Sequence, residues 1–189
     1  MRLLLTATFL LGMSIATPSW SADRHHDTCF SIGKEDYKDK KKFEQGRNAC
    51  TRMIISRKYS GKALASIHRA RGSWKQKIGE LDAALADYDI SIDMEPNNVA
   101  GYDYRADVYQ QKGDLDRALT DYDQAIRIDP NYAAAHYSRA LIYEKKNDTT
   151  KARAGYDAAI AAPNNNRIAQ WAQDGARARL KALEEAKKK

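Results

Sequence analysis

The groups capable of chemistry are few in this 189-residue chain: four histidines, two cysteines and three arginines at a fixed spacing. "HHDTC", residues 25 to 29, offers two imidazoles and a thiol, a set that suits Zn or Cu. It has no obvious fourth ligand, and the same Cys29 competes for Cys50, so metal carriage through His25, His26 and Cys29 is an alternative and not the main expectation. One pairing is available to the cysteines, and an intrachain disulfide closing a loop of about 20 residues would stabilise the fold by roughly 3 kcal/mol. Two separate thiols or an intermolecular bridge remain open. Arg71, Arg105 and Arg139 recur with acids in step: Asp87 and Asp89, Asp121 and Asp123, then Asp157 alone because Gly155 replaces the earlier one. Two readings follow, a line of guanidinium groups for an anionic ligand and a repeated internal Arg to Asp pairing, and the recurring acids favour the pairing. His136 stands where Tyr102 stands one repeat earlier, which suits packing. A Gly-rich phosphate loop, a nucleophile elbow and a paired metal-ligand motif are all missing from the sequence, which implies no catalytic residue, no metal and no cofactor.

What must position these groups repeats itself. "GELDAALADYDISIDMEP" (79 to 96) returns as "GDLDRALTDYDQAIRIDP" (113 to 130), and Ala84, Ala118 and Ala152 share a spacing of 34 with Tyr88, Tyr122 and Tyr156. Each copy reads as two helices joined by a tight turn, with Gly113 supplying the stop and Pro130 closing the unit. Ala106, Ala118 and Ala125 permit close helix approach while Tyr109 and Tyr122 fill the space beside them. A two-helix unit cannot bury its apolar stripe alone, whereas stacked copies bury a continuous one.

Tyr102, Ala106, Tyr109, Gly113, Ala118, Tyr122, Ala125 and Pro130 match in order the pattern of the tetratricopeptide repeat, which this unit resembles. The resemblance implies an all-α fold, a right-handed α-α superhelix (solenoid), with repeats at 65–98, 99–132 and 133–164. The first copy departs from the pattern at Lys75 and Ser91, with Trp74 as filler, and the last has Asn147 at the Gly turn. A degenerate pair is expected at 22–62, aligned through Phe30, Tyr37, Phe43, Gly46 and Met53, with Cys29 early in one helix and Cys50 late in its neighbour. A capping helix and basic tail at 166–189 should cover the open end through Ile168, Trp171, Ala172 and Gly175.

The resemblance also implies a non-enzymatic module that binds a peptide or protein on an inner groove lined by first helices. Carried over by position, the groove takes Arg69, Ser73, Gln76 and Lys77; Asp103, Tyr104, Asp107, Gln110 and Gln111; and Tyr137, Ser138, Leu141, Glu144 and Lys145. The Lys and Asn clamp with which some members hold a C-terminal carboxylate is largely missing, since Arg69, Ser73, Tyr104 and Ser138 occupy the corresponding places. A partner segment with basic and apolar residues fits better.

Residues 1–21 carry one basic residue, an apolar run from Leu3 to Ile15 and small residues at Ser19 and Ser21. This is the pattern of a secretory signal peptide, cleaved after Ser21 or Ala22, and it predicts a bacterial periplasmic location. The formal charge is +7, distributed as +1 from Arg2 in residues 1–21, +9 over 22–77, −7 over 78–163 and +4 over 164–189. In an exported protein such basic ends meet anionic head groups or envelope polymers and not nucleic acid, so a weak anionic surface contact, and with it a role in envelope assembly, is the other alternative.

Overall fold

The computed structural model describes residues 24–31 and 39–186. The expected signal segment, its cleavage site, Tyr37 and the terminal Lys run lie outside the described residues. Helices α1 (Arg24–Phe30) and α2 (Lys40–Ile55) precede three pairs, α3 (Gly61–Lys77) with α4 (Leu81–Met94), α5 (Val99–Gln111) with α6 (Leu115–Ile128), and α7 (Ala133–Lys145) with α8 (Thr149–Ala161); α9 (Arg167–Ala186) ends the stack. Helix α3 starts four residues before the repeat boundary expected at 65, on Ser60 and Gly61. Among the described residues no helix is long and apolar enough to cross a membrane.

The turn inside each pair is one structure made three times. Gly79 and Gly113 have φ of 84° and 80°, and Asn147 at the same place has φ of 60°. Asn is among the few side-chain-bearing residues that tolerate this region, so the missing glycine leaves the turn intact. The following Asp114 and Asp148 accept from the backbone N–H of Arg117 and Lys151, capping α6 and α8. Pairs join through small residues and one tyrosine: Ala106, Ala118 and Ala125 are fully buried around Tyr122, as Ala140, Ala152 and Ala159 are around Tyr156.

The arginines belong to this framework. Arg71 grips Asp87 through Nε (2.8 Å) and Nη2 (2.6 Å). Arg105 grips Asp121 through the same two nitrogens (2.8 and 2.7 Å) and extends Nη1 to Asp89 at 2.7 Å. Arg139 reaches back to Asp123, but Gly155 stands where its forward acid would be, and its Nε is buried without a partner. A Cβ on Gly155 would lie 2.8 Å from that of Ala140, so this helix pair has closed over the place of a carboxylate. Burial raises the pKa of Asp87, but hydrogen bonds from His68, Arg71 and Lys75 outweigh it and hold the carboxyl far below its ordinary range. His136 repeats the work of Tyr102: its Nε2 lies 2.9 Å from the Pro130 carbonyl, as the Tyr102 hydroxyl lies 3.1 Å from that of Pro96.

At the N-terminal end the structure departs from expectation in two ways. Cys29 lies in the last turn of a seven-residue helix and not early in its helix, because α1 stops at Phe30. Its sulfur is 2.21 Å from that of Cys50, both residues being fully buried, which leaves His25 and His26 without that thiolate. Trp74 does not fill the α3–α4 seam. It faces backward, donates from Nε1 to the Cys29 carbonyl at 2.9 Å and lies against Gly46, while Lys75 reaches into the seam to Asp87 at 2.8 Å.

The C-terminal end differs as well. Helix α9 buries Ala169, Ala172, Gln173 and Ala176, not the face expected from Ile168 and Trp171, which are 50% and 58% exposed. Alanines allow α9 to approach α7 and α8 closely, and a tryptophan in that seam would hold the helices apart. Gln173, one period after Arg139, donates to the Ala162 carbonyl at 2.6 Å. Gln170, Asp174 and Arg177 fall one period after His136, Ala140 and Tyr143, the positions that would receive another second helix. All three are exposed, so the stack stops because that side of α9 is polar.

Candidate groove along the first helices

Contacts between like helices run along the first member of each pair, α3 to α5 and α7 to α9. These helices therefore lie on the inside of the curve, and one register crosses them. Arg69, Asp103, Tyr137 and Trp171 are separated by 34 residues each, as are Ser73, Asp107, Leu141 and Gly175, and Gln76, Gln110, Glu144 and Ala178.

The last row is tied to the core by tyrosines. Tyr88 donates to Gln76 at 3.0 Å, the Tyr122 hydroxyl lies 3.2 Å from Gln110, and Tyr156 donates to Glu144. The second helices thus deliver a row of phenol groups to the inner face and fix the side chains there. Arg179 of α9 also binds Glu144, Nε to Oε2 at 3.0 Å, so this acid already has its cation.

Among the residues expected to form the groove, the structure separates several. Ser138 is buried and its hydroxyl bonds to that of Tyr122, facing α6 and not open space. Leu141 packs with α8 and α9 residues. Gln111 and Lys145 are exposed at the ends of their helices, and the Lys77 ammonium sits 5.5 Å from the Phe43 ring centre. Arg69 lies close enough to Tyr104 to favour its ionised form.

The middle of the face carries the unusual electrostatics. Asp103 is 6% exposed and accepts from the Tyr132 hydroxyl at 3.0 Å; half-buried Asp107 accepts from Tyr122 at 2.6 Å. Burial, and then the negative charge of Asp107, push the Asp103 carboxyl up to about 7, against the pull of the Tyr132 hydrogen bond. Burial raises Asp107 too, against the hydrogen bond from Tyr122. Among the described residues neither carboxylate has an ion pair, although every other strongly buried acid of the repeats is held by arginine. Two acids in a low-dielectric site without a cation are costly to keep ionised.

Beyond them the face turns aromatic. Tyr104 meets Tyr88 at 5.9 Å between ring centres, and Tyr137 meets Trp171 edge to face at 5.2 Å. Gly175 leaves room for this, since a Cβ there would fall 2.6 Å from the Tyr137 ring. Trp171 and Tyr132 were not among the groove residues expected from sequence. The signal for Trp171 is its place one period after Tyr137, which makes α9 a further first helix as well as a cover.

The chain matches family models for the TPR repeat over residues 106–147 and for the tetratricopeptide repeat over 133–166. No curated protein sequence matches it. Its fold is similar to that of a tetratricopeptide repeat protein from Parabacteroides merdae ATCC 43184, at 19% identity and TM-score 0.59 over 75% of this chain; the chain spans 55% of that structure's length. YrrB, described as a TPR protein with an unusual peptide-binding site, aligns at 18% identity and TM-score 0.56 over 71% of this chain and 68% of its own. The first TPR of Spaghetti (RPAP3), bound to the HSP90 peptide SRMEEVD, aligns at 22% identity and TM-score 0.52 over 61% of this chain and 92% of its own. With the repeat matched in sequence from 106 to 166 and the helix pairs set in one register, residues 106–166 carry tetratricopeptide repeats and the described helices share the fold of tetratricopeptide-repeat proteins.

Proposed function

We propose that the protein is an exported, non-enzymatic binding module of a bacterial periplasm whose inner face holds a segment of a protein partner. The observation that carries this reading is the acid pair Asp103 and Asp107, sunk into the inner face and ion-paired to nothing among the described residues. A fold gains no stability from such a pair, so its use lies in what it receives, a cation from a partner. The peptide named with the Spaghetti structure is acidic at its end; here the inner face is acidic itself, and a basic segment is its complement. Export is supported by the composition of residues 1–21 and by a pair of cysteines placed for oxidation, which suits an oxidising compartment.

Affinity capture from envelope extract tests the reading, comparing wild type with Asp103→Lys plus Asp107→Lys. Loss of the captured proteins from the variant supports the groove; an unchanged set counts against it.

A further inference from the structure

The acid pair has a neighbour. Tyr132, whose hydroxyl donates to Asp103, also lines a cleft of about 230 Å³ between the turn into α7 and the turn into α9. Ala134, Pro163 and Ile168 form the apolar part of its wall, and Asp129, Asn131 and Asn165 belong to its polar part. The volume is below the ~300–1,000 Å³ usual for a small-molecule site and suits a single side chain. Ala134 lies one helical turn before Tyr137 and Ile168 one turn before Trp171, so the cleft opens at the start of the same inner face. One end of this face attracts positive charge and the other presents apolar surface that folding leaves open, Ile168 and Trp171 being 50% and 58% exposed.

Resting on the groove reading above, we infer that the bound segment is an extended peptide carrying a Lys or Arg and, four to six residues away, a large apolar side chain. The cation sits at Asp103 and Asp107; the apolar group packs on exposed Ile168 and Trp171, where the Tyr132–Ile168 cleft opens. The spacing comes from geometry. Packed helices stand ~9 Å apart, so α5 and α9 are separated by roughly 18 Å across α7. An extended chain advances ~3.3 Å per residue, which gives about five or six residues to Trp171 and about four to the nearer cleft. Charge complementarity selects the basic end, and the exposed indole, a residue type over-represented in binding hot spots, selects the apolar one.

The test is a random twelve-residue peptide library screened against the purified protein, with selected peptides measured by titration calorimetry. Peptides pairing Lys or Arg with an aromatic or aliphatic residue at this spacing are expected. Trp171→Ala should weaken them at least about tenfold, and Asp103→Asn plus Asp107→Asn should lose affinity only for peptides that keep the basic residue. Trp171 is largely exposed, so its alanine variant should fold, and its thermal unfolding is measured alongside. If peptides bind, are lost on Asp103→Lys plus Asp107→Lys, but show no apolar residue at that spacing and are indifferent to Trp171→Ala, the inference is wrong and the groove stands. If no peptide is selected, or binding ignores the lysine variant, both fall. Self-association abolished by Trp171→Ala would make the occupant a second copy of this chain and overturn the inference.

Discussion

Replacing Asp103 with Asn should stabilise the protein at pH 8 and do so much less at pH 4.5. The folded Asp103 carboxyl is raised from 3.8 to about 7. A group raised on folding holds its proton more tightly in the native state, so its penalty is absent below about pH 4, grows as pH rises to about 7 and is then constant. About three pKa units at 1.36 kcal/mol each set a ceiling of roughly 4 kcal/mol. Asn keeps an oxygen for the Tyr132 hydroxyl and removes the charge that opposes Asp107, while its amide needs an acceptor that Asp107 can supply. With those offsets the gain at pH 8 is about 2 kcal/mol, or roughly 4–8 °C in Tm for a protein of this size. The Asp87 carboxyl has the opposite sign: it is depressed, and its contribution is lost only as pH falls below its ordinary value of 3.8. A window from pH 4.5 to 8.5 therefore excludes Asp87 and reports on Asp103 together with Asp107, whose carboxyl burial also raises. Thermal unfolding followed by circular dichroism, wild type against variant at each pH, gives the difference curve. A difference that does not change with pH, or a variant less stable at pH 8, would refute the argument that this acid is buried unneutralised.

The arginine ladder should grade in stability by what each cation leaves behind. Arg105→Ala strands nearly buried Asp121 and should cost about 3–5 kcal/mol. Arg71→Ala should cost less because His68 and Lys75 still hold Asp87, and Arg139→Ala about 1 kcal/mol or less, its partner Asp123 being half exposed; denaturant midpoints rank the three. Gly155→Asp restores the acid of the earlier repeats in sequence, but its Cβ meets Ala140, so a loss of about 1–3 kcal/mol is expected where a simple pairing argument expects a gain. Reducing the protein, or Cys29→Ser plus Cys50→Ser, should loosen α1 and α2 first and lower stability by roughly 3 kcal/mol; intact mass before and after alkylation reports the pairing, and hydrogen exchange reports where protection is lost.

The repeat was legible because its punctuation is local. Gly79, Gly113, Tyr88, Tyr122 and Tyr156 do the same geometric work wherever they recur, so spacing alone identifies the helix pairs. The direction of an isolated aromatic was not legible, because it depends on which neighbour leaves room. Trp74 turned toward Gly46 and Cys29 instead of α4, and Trp171 turned outward because alanines own the α9 seam. The acid pair was visible as two carboxylates on one helical face. That Asp103 is buried, and that Tyr122 and Tyr132 hold the pair where arginines hold the others, required the neighbouring repeat in place.

The most direct measurement is a map of backbone and indole chemical shifts in the isotope-labelled protein as a selected basic, apolar peptide is added. Changes are expected on α5, α7 and α9, at Asp103, Asp107, Tyr137 and the Trp171 indole, with the outward faces of α4, α6 and α8 unmoved. Shifts confined to those outward faces would contradict the groove reading.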